Sequence, residues 1–159
     1  MANTVVRGAN RIMFMSPSGL ADQNEHRMAF QTSHEKSSTR EADTIITKDG
    51  TQRSPSEVVV EYSLTTLMAA GDLVRERLEN AFLAERPEPI TFWDVDITAP
   101  AGAPNTYPAR EFQGYITDWS ESAGAEDAVE ISLTAAMNGT GEIGTVTLDA
   151  GKTRVTAFA

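Results

Sequence analysis

Arg110-Glu-Phe-Gln-Gly-Tyr-Ile-Thr-Asp-Trp-Ser120, Glu121-Ser-Ala-Gly-Ala-Glu-Asp127 and Ala128-Val-Glu-Ile-Ser-Leu-Thr-Ala-Ala-Met137 follow one another in this chain. Together they decide its fold. In the last of the three, Val129, Ile131, Leu133, Ala135 and Met137 alternate with Glu130, Ser132, Thr134 and Ala136. A period of two gives a strand with one buried and one wet face. The middle stretch collects small and acidic residues around Gly124, which suits a surface connection. The whole reads as a β-hairpin.

Working outward from it, Glu57 to Leu64 shows the same alternation, with Val58, Val60, Tyr62 and Leu64 on one side and Glu57, Val59, Glu61 and Ser63 on the other. One helix is expected over 72–85. Asp72 can cap it, and Val74, Leu78, Ala81 and Phe82 share a face. Arg75 and Glu79 form an i,i+4 pair, and Pro87 and Pro89 stop the helix. Ile90 to Ile97 is the next strand, with Trp93, Val95 and Ile97 opposed to Asp94 and Asp96. Phe92 breaks that alternation, as a bulge or contact on both faces would make it do.

Before Glu57 the signals are weaker. Ile12 to Met15 is a short strand, and Ser16 to His26 a polar loop. Arg27 to Thr39 is a plausible strand that fades into serines. Thr44 to Arg53 resembles a hairpin turning at Asp49-Gly50, with too little apolar content for the core. The expected class is mainly β: an antiparallel β-sandwich or half-barrel with one flanking α-helix, a protruding hairpin and extended N- and C-terminal arms. The single domain, 1–159, divides into an N-terminal strand or arm (1–15), a protruding hairpin (39–54), an acidic body (55–138) and a C-terminal arm (139–159).

The chain has 159 residues, no cysteine and a formal net charge of −10. That length can bury a core without disulfides, and thiolate metal or redox chemistry is excluded. The acidity argues against tight binding to nucleic acid through phosphate neutralisation. His26 and His34 are too few and too isolated for a usual zinc site. Apolar runs fall far short of a membrane span, and the start lacks the apolar core of a secretory signal. A soluble, cytosol-made protein is expected. The charge is uneven: residues 1–54 carry a net +1, residues 55–138 a net −11, and residues 139–159 are neutral.

Few constellations suggest chemistry. Gly139-Thr-Gly-Glu-Ile-Gly144 has the spacing of a dinucleotide-binding run, but an extended segment follows where a helix is required, so it reads as a turn. Asn138-Gly-Thr140 is a sequon read as a turn. The pairs Asp94/Asp96, Glu57/Glu61 and Glu126/Asp127 have the residue type for a divalent metal or acid–base work, but without convergent partners they read as solvated faces. No catalytic residue, metal, cofactor or enzymatic activity is expected. If the strands carrying Glu57/Glu61/Ser63, Asp94/Asp96 and Glu130/Ser132/Thr134 share a sheet, one face is wet and anionic. The plain reading is solubility; the sharper one is a surface past which a polyanion slides without sticking.

Three stretches carry a resemblance: Ile90-Thr-Phe-Trp-Asp-Val-Asp96 after the short helix, the hairpin Gly114 to Leu133, and Gly141-Glu-Ile-Gly144 beyond it. With the order of elements, they make the chain similar to the major tail proteins, or tail tube proteins, of long non-contractile-tailed phages. The resemblance implies a homo-oligomer: hexameric rings stacked into a virion tail tube that conducts double-stranded DNA. It also implies assembly in the bacterial host cytoplasm, tape-measure, distal-tail and terminator proteins as partners, and no membrane. Glu57, Glu61, Asp94, Asp96 and Glu130 are then the candidate lumen-facing acids. Glu41, Asp43, Ile45, Ile46, Lys48, Asp49 and Gly50 are the candidate inter-ring contacts. A tail terminator, a secretion-system tube protein and a monomeric binding module are the alternatives.

Overall fold

The computed structural model describes residues 3–98 and 100–159. Its strands are β1 (Arg11–Ser16), β2 (Gln31–Thr47), β3 (Gly50–Leu67), β4 (Ile90–Asp96), β5 (Thr106–Ser122), β6 (Glu130–Leu148) and β7 (Val155–Phe158), and its helix is α1 (Leu73–Leu83). All strand pairings are antiparallel, in the order β1-β4-β5-β6-β3-β2, with β7 on the free stretch of β6. The sheet is not closed. β1 and β2 are its two edges, and the side-chain amide of Gln31 spans the seam between them. Its Oε1 accepts from the Met13 amide at 3.1 Å and its Nε2 donates to the Met13 carbonyl at 2.8 Å.

Successive residues of a strand point to opposite faces, and both faces of β4 are covered. Phe92, opposite Phe112 on β5, joins Met13, Tyr62, Leu64, Ile131, Leu133 and the helix residues Val74 and Leu78 in the cluster inside the curl. Trp93 and Val95 face the other way, into a second cluster with Phe14, Tyr107, Val146, Leu148 and Val155. Contact on both faces is why Phe92 breaks the two-fold alternation. Each fully buried side chain of this size contributes about 1.5–3 kcal/mol.

α1 begins as its sequence predicts. Asp72 Oδ1 accepts from the amides of Val74 and Arg75, while Oδ2 accepts from the Ala29 amide. Arg75 pairs with Glu79 at 3.0 Å.

The stretch after Asn138 differs from expectation. β6 does not stop at Asn138-Gly139. It takes up extra residues there, in register between Gln113↔Asn138 and Glu111↔Glu142, and then runs on to Leu148. Gly139 and Gly141 both have positive φ, and a Cβ on Gly141 would lie 2.6 Å from the Phe112 ring. The glycines therefore form a bulge within one strand. Beyond the bulge β6 continues to Leu148 and β7 follows, with Val146, Leu148 and Val155 buried, while β1 is the short strand expected at Ile12 to Met15. The protruding hairpin is the outer half of a longer one. β2 and β3 pair from Gln31↔Thr66 to Thr47↔Gly50, whereas β6 covers β3 only from Glu61 to Leu67. Gly50 to Glu57, all exposed, therefore projects with its β2 partner as a two-stranded arm about 25 Å long.

Candidate functional face

β2, β3, β6 and β5 lie side by side, and their registers align the outward residues in rows. Glu35, Ser63, Thr134 and Asp118 form one row; Ser37, Glu61, Ala136 and Tyr115 the next; Ser33, Thr65, Ser132 and Ser120 another. Glu130 opposite Ser122 continues the face. These side chains are exposed or half-buried. Carboxylates and hydroxyls dominate, and no lysine or arginine is among them. Serines, threonines and an alanine alternate there with the glutamates, Asp118 and the half-buried Tyr115 on adjacent strands.

Of the five acids expected on a common wet face, Glu61 and Glu130 lie on this one, and Glu57 lies further out on β3, where β6 no longer runs beside it. Asp94 and Asp96 do not. β4 lies on the other side of the curl, and the same parity that would expose Asp94 on a flat sheet turns it inward beside Phe92. Glu35 and Asp118 are members that the sequence reading missed. The alternation Ser33, Glu35, Ser37, Thr39 was the available signal for β2. On β5 the register shift between Ile116 and Asp118 moves Asp118 onto the face.

Asp94 is instead a buried hub. Oδ1 accepts from Arg11 Nε at 3.2 Å and lies 3.3 Å from His34 Nε2. Oδ2 accepts from Tyr62 Oη at 2.9 Å and pairs with a terminal nitrogen of Arg11. Burial acts to raise the Asp94 carboxyl, but the hydrogen bonds from His34, Arg11 and Tyr62 outweigh it and hold the group below the usual carboxylate range. Burial, reinforced by the Asp94 charge, pushes the Tyr62 hydroxyl far up. These groups join β1, β2, β3 and β4 inside the curl. His26, fully buried and stacked on Trp93 at 5.4 Å, accepts from the Val155 amide at 3.1 Å and so ties β7 to the body. Both histidines are therefore in structural contacts. Among the described residues no group of three or more His, Asp or Glu is placed to hold a metal ion.

Glu41, Asp43, Ile45, Ile46, Lys48, Asp49 and Gly50 all lie exposed on the arm, whose turn is Lys48-Asp49. Ile46 is 85% and Ile45 55% exposed at its end.

A family model described as phage tail tube protein matches residues 5–142. No curated protein sequence matches the chain. Among solved structures, the chain is similar to the SPP1 tail tube, with a TM-score of 0.67 and 22% identity over 87% of this chain and 81% of that one. It is also similar to the tail of an empty gene transfer agent particle, refined with C6 symmetry (TM-score 0.63, 13% identity, 87% and 98% covered). A third likeness is to the sheath-tube complex of an extracellular contractile injection system (TM-score 0.64, 11% identity, 92% and 95% covered). At these identities the likenesses concern the fold.

Proposed function

The chain belongs to the phage tail tube protein family, and from that premise we propose that it closes into rings that stack into a virion tail tube. The four-strand wet face lines the channel, and double-stranded DNA passes along it at ejection. Six copies per ring is the number taken, matching the C6 symmetry of the gene transfer agent tail. The arm reaches the next ring through Ile45, Ile46 and the charged residues around them. Tape-measure, distal-tail and terminator proteins are the remaining partners, and assembly precedes release from the host cytoplasm.

The observation that carries this reading is the wet face itself. A face that served only solubility would intersperse both signs of charge. This one carries carboxylates and hydroxyls with Ala136 among them and no Lys or Arg, although the chain has 13 Lys and Arg. A duplex meets such a wall at many subunits at once, so even weak attractions would add up to arrest it. Carboxylates repel phosphate, and salt confines that repulsion to about 8 Å. A second support is the edge of β2, which has no strand beyond it among the described residues. An open edge of that length associates unless something covers it, and ring closure does so.

The test is electron microscopy with sedimentation of the purified protein over a concentration series. Six-fold rings and stacked tubes are expected. Monomers at every concentration, with no ring in projection, would refute the proposal.

A further inference from the structure

A groove of about 640 Å³ opens at the seam between β1 and β2. Arg11, Arg27, Gln31, His34 and Lys36 line it, with Asp94 at its base. The single carboxylate is already taken up by Arg11, His34 and Tyr62. Arg27 and Lys36 make no ion pair among the described residues, and Lys36 lies over the Phe112 ring at 5.7 Å. Burial and then the neighbouring Arg110 charge disfavour the Lys36 ammonium, with Arg11 acting in the same sense. The groove is therefore an electropositive recess in a chain of net charge −10.

The β5–β6 connection has the opposite character. From Asp118 to Glu130 there are five acids and no Lys or Arg. Glu121, Glu126, Asp127 and Glu130 make no ion pair among the described residues, and residues 121–128 are all exposed. Ser122, Ala123, Gly124 and Ala125 keep that tip slender. Nowhere else in the chain is negative charge so dense and so little compensated.

We propose that the groove receives the acidic β5–β6 tip of a second copy of this chain. This rests on the tube reading and names the surfaces that meet within a ring. The carboxylates of Glu126 and Asp127 enter the recess and pair with Arg27 and Lys36. Because groove and tip are different surfaces, the contact is head to tail, the kind that closes into a ring when its rotation allows. Charge complementarity of this sort sets register and partner choice, excluding the tip-to-tip and groove-to-groove encounters in which like charges face each other.

The test is a charge swap. One variant carries Arg27→Glu and Lys36→Glu, the other Glu126→Lys and Asp127→Lys, and circular dichroism checks that each is folded. At low salt each alone places like charges in the contact, and its ring yield by sedimentation falls about tenfold or more. Mixed in equal amounts, the two regain rings, because a basic tip then meets an acidic groove and an acidic tip a basic groove around an alternating ring. Either variant assembling alone as the wild type does would overturn the inference, as would a folded mixture that fails to recover. A groove variant that assembles normally but loses affinity for a short DNA duplex would also overturn it, by assigning the recess to phosphate. If the wild type forms no rings, the tube reading itself falls, an outcome distinct from wild-type rings with indifferent variants.

Discussion

Replacing Glu61 and Glu130 by lysine reverses the charge of the proposed channel wall at two points per subunit. Glu61 lies opposite Ala136 and Glu130 opposite Leu67, so the two are separated by six residues along the strands, or about 20 Å. That exceeds two screening lengths at physiological salt, roughly 8 Å each, so the two sites act independently. Both are exposed and point away from the core, so the fold should survive. Each lysine that meets a phosphate steepens the salt dependence of DNA retention by about 0.9 in log–log slope. Two per subunit give a slope of about −1.8, and retention falls about twelvefold per engaged subunit between 50 and 200 mM salt. The assay measures retention of a fluorescent duplex in purified tubes across that range, paired with ejection rates from particles carrying the variant. Ejection should slow most at the lower salt. A control variant with Glu85→Lys and Glu88→Lys, exposed beyond α1 and off the face, should change neither reading. Variant tubes that hold no more DNA than the control, at either salt, would refute the reasoning.

Two other perturbations follow from the geometry. Deleting residues 41–52, all of them exposed, should leave the circular dichroism spectrum and the single rings intact while abolishing stacking; long tubes from the deletion would show that the arm does not join rings. Asp94→Ala strands Arg11 and the Tyr62 hydroxyl and should cost about 3–5 kcal/mol in urea unfolding followed by tryptophan fluorescence, against about 1.5–3 for Tyr62→Phe. Because the folded carboxyl is held below its ordinary value, this stabilisation is complete above the ordinary carboxylate pKa and is lost as pH falls through the depressed one. The variant should therefore show a flatter acid limb than the wild type. A cost under about 1 kcal/mol, or an unchanged acid limb, would show that the cluster does not hold the curl together.

Local patterns in the sequence disclosed much of this fold. The hairpin from Arg110 to Met137, the alternation in β3 and the capped helix depend on neighbours within a few positions, and all three form as read. Long-range contacts were less visible. Alternation assigns Asp94 to a wet face, and only the folded chain brings it to Arg11, 83 positions away, and His34, 60 positions away. The glycines after Asn138 signal a break, yet they serve a bulge, because a partner strand was present on both sides of it. The continuity of β2 was obscured by its serines, which have little strand propensity of their own. Ser33, Ser37 and Ser38 are held extended by pairing with Thr65, Glu61 and Val60 on β3. Half of the wet face, on β3 and β6, could be read directly. The other half depended on which strands became neighbours.

The Gln31 amide has a mechanical consequence. Across every other junction of the sheet a ladder of backbone bonds shares a sideways pull, six residue pairs even between the short strands β1 and β4. Across the seam the pull falls on side chains, Gln31 clasping Met13 and His34 and Tyr62 meeting Asp94, and on the Met15 amide donating to the His26 carbonyl at 2.8 Å. Elastic strain around the curl therefore concentrates there while the rest of the sheet stays stiff. A sideways load therefore meets its least resistance at that seam, where the Gln31 clasp, the contacts of Asp94 and the packing of Met13 and Met15 into the cluster inside the curl oppose it in place of a ladder.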